Sequence, residues 1–142
     1  MIDQLTVFLE NTPGRLTALC KALGDASINM SALALADTTD YGIVRIICND
    51  PVNAAKVLQA EGFRATTTKI VAVEVPDEPG GLAKMLHTLD EAELNIEYSY
   101  CFLDGTTGNA TVALKTDEKA IEILEAAGYR VIHPADLYKT TK

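Results

Sequence analysis

Two short stretches of the chain combine residue types that could hold a small charged molecule. One is Asn11-Thr12-Pro13-Gly14-Arg15-Leu16 and the other is Asp77-Glu78-Pro79-Gly80-Gly81-Leu82. A proline at the first helical position leaves free the N–H groups that follow it, and an adjacent glycine lets a ligand approach the backbone closely. A helix start of this kind can receive a carboxylate. A second polar step also recurs, as Asn29-Met30 and Asn95-Ile96. A side-chain amide there offers an acceptor and a donor, so it can pair with both ends of an amino acid. Glu97 and Tyr98 follow Asn95 and could meet a ligand's ammonium group. Each feature has a structural reading beside the functional one. Asn11 to Pro13 also forms a plain helix cap, worth about 0.5–2 kcal/mol, and Asn29 and Asn95 could support turns.

Other chemistries find little support. A net charge of −8 and no cluster of Lys and Arg interleaved with aromatics argue against nucleic acid. His87 sits on a helix beside Leu86 and should face solvent or the helix edge, and His133 precedes Pro134 near the chain end. Neither has a Ser or Cys partner apparent in the sequence, so no catalytic residues are assigned and the protein is not expected to be an enzyme. Cys20, Cys48 and Cys101 lack CxxC spacing and lie among apolar neighbours, which suits buried free thiols rather than a metal or redox role. No metal and no cofactor is expected. The first residues carry no basic leader, no long apolar stretch and no small-residue cleavage site, which points to a cytoplasmic protein away from membranes.

The elements that must position these residues follow from an internal repeat. Shifting the sequence by 66 residues without gaps superposes Val7 on Val73, Pro13 on Pro79, Gly14 on Gly80, Leu23 on Leu89, Asn29 on Asn95, Gly62 on Gly128 and Arg64 on Arg130. Two copies are too few for a solenoid and suit a duplicated compact domain, here 1–69 and 70–142. Leu5, Val7 and Leu9, and again Val71, Val73 and Val75, alternate as first strands. Leu16, Leu19, Cys20 and Leu23, and Leu82, Met85, Leu86 and Leu89, carry the apolar stripe of first helices. Residues 28–37 and 43–48 form a hairpin around a turn ending at Gly42, and the second copy turns at 104–108. Asp50 and Pro51 start a helix that Gly62 ends, Thr116 and Gly128 bracket its counterpart, and 63–68 and 129–132 are last strands.

The order β-α-β-β-α-β is the ferredoxin-like pattern, an α+β fold with both helices on one face of a four-stranded antiparallel sheet. The other face carries Thr6, Phe8 and Arg45 in one copy and Ala72, Glu74 and Thr111 in the other, a mixed surface suited to solvent or to a second subunit.

With the loop Asn11 to Leu16 and the steps Ala26-Ser27-Ile28-Asn29-Met30 and Ala92-Glu93-Leu94-Asn95-Ile96 in this element order, the chain resembles two consecutive ACT domains. The resemblance implies two ACT-type domains side by side, forming an eight-stranded antiparallel sheet with helices on one face and small ligands, usually amino acids, at the seam. It carries a ligand-holding role to Asn11 and Asn29 in the first copy and to Asn95 in the second. Asp77 stands where the second copy would have its loop Asn, so the two sites should differ. The implied function is a non-catalytic regulator that binds a free amino acid and acts on a partner enzyme of amino-acid metabolism, and the mixed open face favours a homodimer. A scaffold module with no small-molecule ligand is the alternative.

Overall fold

The computed structural model describes residues 1–37, 40–103 and 108–138. Its elements run β1 (Ile2–Glu10), α1 (Arg15–Asp25), β2 (Met30–Asp37), β3 (Tyr41–Cys48), α2 (Pro51–Ala60), β4 (Arg64–Pro76), α3 (Gly81–Glu91), β5 (Tyr98–Leu103), β6 (Asn109–Lys115), α4 (Lys119–Ala126), β7 (Val131–Ile132) and α5 (Pro134–Leu137). The expected turns fall partly at residues 38–39 and 104–107, outside the described residues. The chain divides into two compact units, one of Asp3–Thr68 joined by Leu137 and Tyr138, the other of Lys69–Asp136 joined by Met1–Ile2.

In the first unit the strands neighbour one another in the order β2-β3-β1-β4. β1 lies antiparallel to β3, with Val7 opposite Val44, and β2 lies antiparallel to β3, with Leu35 opposite Val44. Alternation on β1 sends Leu5, Val7 and Leu9 to the helix side, where they meet Leu19 and Leu23 of α1 and Ala54 and Leu58 of α2 in one core. α2 starts as expected: Asp50 accepts from the Asn53 N–H at 3.2 Å and Pro51 follows. It ends at Gly62 in the left-handed conformation, with the Phe63 N–H returning to the Leu58 carbonyl at 2.9 Å.

The second unit repeats this scheme. β6 flanks β4 with Val73 opposite Val112, β5 flanks β6, and β7 takes the other side of β4 with Val73 opposite Val131. Val71, Val73, Val75, Met85, Leu89, Leu114 and Leu124 make its core. The repeat extends to conformation where sequence diverges. Among the described residues, Ser27 and Glu93, 66 positions apart, are the two non-glycine residues with positive φ, at 59° and 58°, and each ends the turn after a first helix.

Several expectations need correction. Among the described residues the strands number seven rather than eight, because the last strand of the first copy and the first strand of the second are one uninterrupted strand, β4; nothing in Thr68-Lys69-Ile70 breaks an extended chain. Thr116 does not cap α4; its hydroxyl donates to the Asn95 carbonyl at 2.7 Å, and the Asp117 carboxylate instead accepts from the Lys119 N–H at 2.9 Å. The last strand is only Val131–Ile132. Leu16 and Leu82 are exposed, each in the first turn of its helix. Ala72 and Thr111 are buried rather than part of an open face, with Ile132 paired beside Ala72 and the Arg130–Glu74 ion pair next along. Cys101 is exposed on the edge strand β5, opposite Val112, and Cys20 is partly exposed; only Cys48 is buried, and burial pushes its thiol pKa up.

Candidate functional site

Both first loops fold the same way. The Thr12 N–H donates to the Glu10 carbonyl at 2.9 Å and the Glu78 N–H to the Pro76 carbonyl at 2.9 Å, each tightening the bend before the helix. Gly14 and Gly80 are the N-cap residues, at φ +87° and +83°, a left-handed conformation that glycine adopts without strain. Pro13 and Pro79 therefore stand before the cap rather than at the first helical position. No side chain caps either helix, so Asn11, Thr12, Asp77 and Glu78 do not serve the plain capping role. The N–H groups at positions two and three of each helix, Leu16 and Thr17 in α1, Leu82 and Ala83 in α3, have no intrahelical acceptor. Asn11 to Gly14 and Asp77 to Gly80 are all exposed around them.

The asparagines lie elsewhere. The Asn29 N–H donates to Asn49 Oδ1 at 3.1 Å and the Asn49 N–H returns to the Asn29 carbonyl at 3.3 Å, which locks the entry to β2 and leaves Asn29 exposed. Asn95 is likewise exposed, its carbonyl held by Thr116. The Asn11 N–H donates to the Asp40 carbonyl at 3.2 Å, beside the far end of β2. An 11-residue helix spans about 16 Å and an 8-residue strand about 26 Å, so Asn11 and Asn29 occupy opposite ends of one module. The same separation parts Asp77 from Asn95. Met30 and Ile96 pack on their cores. Glu97 is exposed, with its N–H on the Lys115 carbonyl and its carboxylate 4.0 Å from Lys115 Nζ. Tyr98 opens β5, half-buried.

Arg15 is committed within its own copy, its guanidinium stacked on the Phe63 ring at 4.4 Å. A small cavity of about 90 Å³, lined by Leu9, Asn11, Thr12, Leu16, Leu35 and Gly42, opens beside this loop. In the second copy, a hollow of about 400 Å³ lies between the loop and the turn after α4, with Glu74, Glu78, Lys84, Asn109, Tyr129 and Arg130 among its walls. Gly81 forms its floor, where a Cβ would collide with the Pro76 carbonyl oxygen. Sequence reasoning did not single out Lys84, Asn109, Tyr129 or Arg130. The exchange of Arg15 for Gly81 at equivalent positions of the repeat was the available signal.

His87 pairs with Glu91 at 3.1 Å and His133 approaches Glu125 at 3.7 Å, both at exposed positions that suit surface roles. Among the described residues no group of three His, Cys, Asp or Glu side chains could hold a metal, and no helix is long and apolar enough to cross a membrane.

The fold order, the glycine-capped loops and the paired modules meet in one comparison: the family model described as an ACT domain pair matches residues 1–140. The chain belongs to the ACT domain pair family. Among solved structures, this ACT pair is similar to protein BT0572 from Bacteroides thetaiotaomicron, at 38% identity over 96% of this chain and 95% of that one, TM-score 0.89. It is similar in fold to the ligand-free regulatory subunit of aspartate kinase from Thermus thermophilus, 18% identical over 89% of this chain and 90% of that one, TM-score 0.68. It also resembles in fold the aspartate kinase from Synechocystis, 19% identical over 99% of this chain but 26% of that one, TM-score 0.56. No curated protein matches the ACT pair by sequence.

Proposed function

We propose that this ACT pair is a non-catalytic regulator that binds a free amino acid where the first loop of one chain meets Asn29 of a second chain, and passes occupancy on to a partner enzyme of amino-acid metabolism. The observation that carries this reading is the placement of Asn11 and Asn29 at opposite ends of one module, each exposed and neither used as a helix cap. β2 is an edge strand with Leu33 and Leu35 exposed at 39% and 49%, a surface that favours pairing with another strand. Antiparallel pairing of two β2 strands about a twofold axis brings the start of one beside the end of the other. The uncapped amides of Leu16 and Thr17 and the Asn11 side chain then face the partner's Asn29. The amides receive the ligand's carboxylate and the Asn29 side-chain amide oxygen its ammonium group. That solved neighbours of this fold include an aspartate kinase regulatory subunit supports a regulatory role.

The test is a thermal-shift screen of the twenty amino acids. A ligand at about a hundred times its dissociation constant adds roughly 2.7 kcal/mol, or about 5–11 °C in Tm for a chain of this size. At least one amino acid should produce such a shift, and Asn29→Ala should reduce it more than Asn95→Ala. A flat response to all twenty would favour the scaffold alternative.

A further inference from the structure

Beyond the junction between chains, we infer that the hollow over Gly81 in the second copy is a second amino-acid site, complete within one chain. This inference rests on the reading that the protein binds free amino acids, and it adds a separate place for them.

The repeat supplies an internal control. At the position of Gly81 the first copy has Arg15, and at the position of Tyr129 it has Phe63; there the guanidinium lies on the ring at 4.4 Å and fills the space. In the second copy glycine removes that plug, and the Pro76 carbonyl crowds the backbone so closely that no side chain could replace it without moving the loop. The space left, about 400 Å³, falls within the size range of small-molecule sites.

Three of the charges in the walls are particular to the second copy, whereas Arg130 has Arg64 as its equivalent. Lys84 and Glu78 replace Ala18 and Thr12 of the first copy, and Glu74 replaces Phe8. Glu74 is satisfied by Arg130 at 2.8 Å, and Arg130 reaches on to Asp136 at 3.5 Å. Among the described residues, neither Lys84 Nζ nor the Glu78 carboxylate has an ion-pair partner. The hollow therefore has one unmatched positive and one unmatched negative group among the residues that line a cavity of small-metabolite size. That pattern is the complement of a zwitterion, with the ligand's carboxylate on Lys84 and its ammonium on Glu78, and Tyr129 flanking the side chain. A dianion or a polyamine would leave one wall charge opposed.

Calorimetric titration of the full chain with each of the twenty amino acids, repeated on Lys84→Ala and Glu78→Gln, decides the matter. Both changes are on exposed side chains and should leave melting intact; Lys84→Ala installs the residue the first copy already has. The expected result is two sites per chain in the wild type, with one site weakened by about tenfold or more in each variant, the effect of losing a single charged contact. The same site should persist when Asn29→Ala removes the junction site. If an amino acid binds and neither variant changes its titration, the hollow is not a site while the regulatory reading stands. If none of the twenty gives heat, both readings fall.

Discussion

At the residue scale, two adjacent glycines in one loop are required for different reasons. Gly80 has φ +83° with open space where a Cβ would project, whereas Gly81 sits in ordinary helical backbone but against the Pro76 carbonyl. Gly80→Asn should therefore cost less, since its only penalty is a left-handed conformation that Asn tolerates better than most residues, while Gly81→Ala should cost about 1–3 kcal/mol by overpacking. Urea titrations of the two variants check this, and equal losses would refute the distinction. The spacing of the Pro-Gly loops was legible in the sequence, but which of the paired glycines answers to conformation and which to space was not, because the collision depends on where the Pro76 carbonyl points. Arg15 is similar: its type suggested a ligand contact, and only the position of Phe63 shows it stacked inside its own copy.

At the scale of elements, the start of α2 and the glycine ends of α2 and α4 were readable, whereas the starts of α1 and α3 were misread by one position and the start of α4 was misread because a distant partner intervenes. Asp50 with Pro51, and Gly62 and Gly128, act as expected because their partners lie within a few residues. Thr116 had the right type for a cap, but its hydroxyl is taken by the Asn95 carbonyl 21 positions away. The C-terminal helix α5 and the residue after it went unforeseen. Tyr138 accepts from the Asp3 N–H at 2.8 Å and donates to the Asp3 carbonyl at 3.2 Å, tying the chain end to β1. Burial raises the Tyr138 pKa, followed by the opposing and reinforcing effects of Asp3. A phenol raised in the folded state keeps its contribution below the unfolded value of about 10 and loses it as pH rises through the folded value. Tyr138→Phe should lower stability by about 1 kcal/mol at pH 7, and the difference from wild type should shrink at alkaline pH. Melting curves at pH 7 and above 10 measure this; a difference independent of pH would contradict the assignment.

At the scale of the whole molecule, duplication is the feature that the sequence displays most fully, since punctuation 66 residues apart returns as strands, helices and even the paired positive φ of Ser27 and Glu93. What duplication hides is divergence of use. The first copy offers Asn11, an apolar edge at Leu33 and Leu35, and a loop pocket plugged by Arg15; the second offers Asp77, a charged hollow and a floor of glycine. That Asn11 and Asn29 cannot share a ligand inside one module follows from the length of α1, which parts the loop before the helix from the loop after it by about 16 Å. The site proposed at β2 therefore needs two chains, and that is its most exposed claim. Mixing Asn11→Ala chains with Asn29→Ala chains, both in a Lys84→Ala background that silences the second-copy hollow, tests it directly by titration with the amino acid of greatest thermal shift. Each variant alone should bind weakly, and random pairing of the two should restore full affinity to about a quarter of the junction sites. A mixture that binds no better than its parts would contradict a site built between chains.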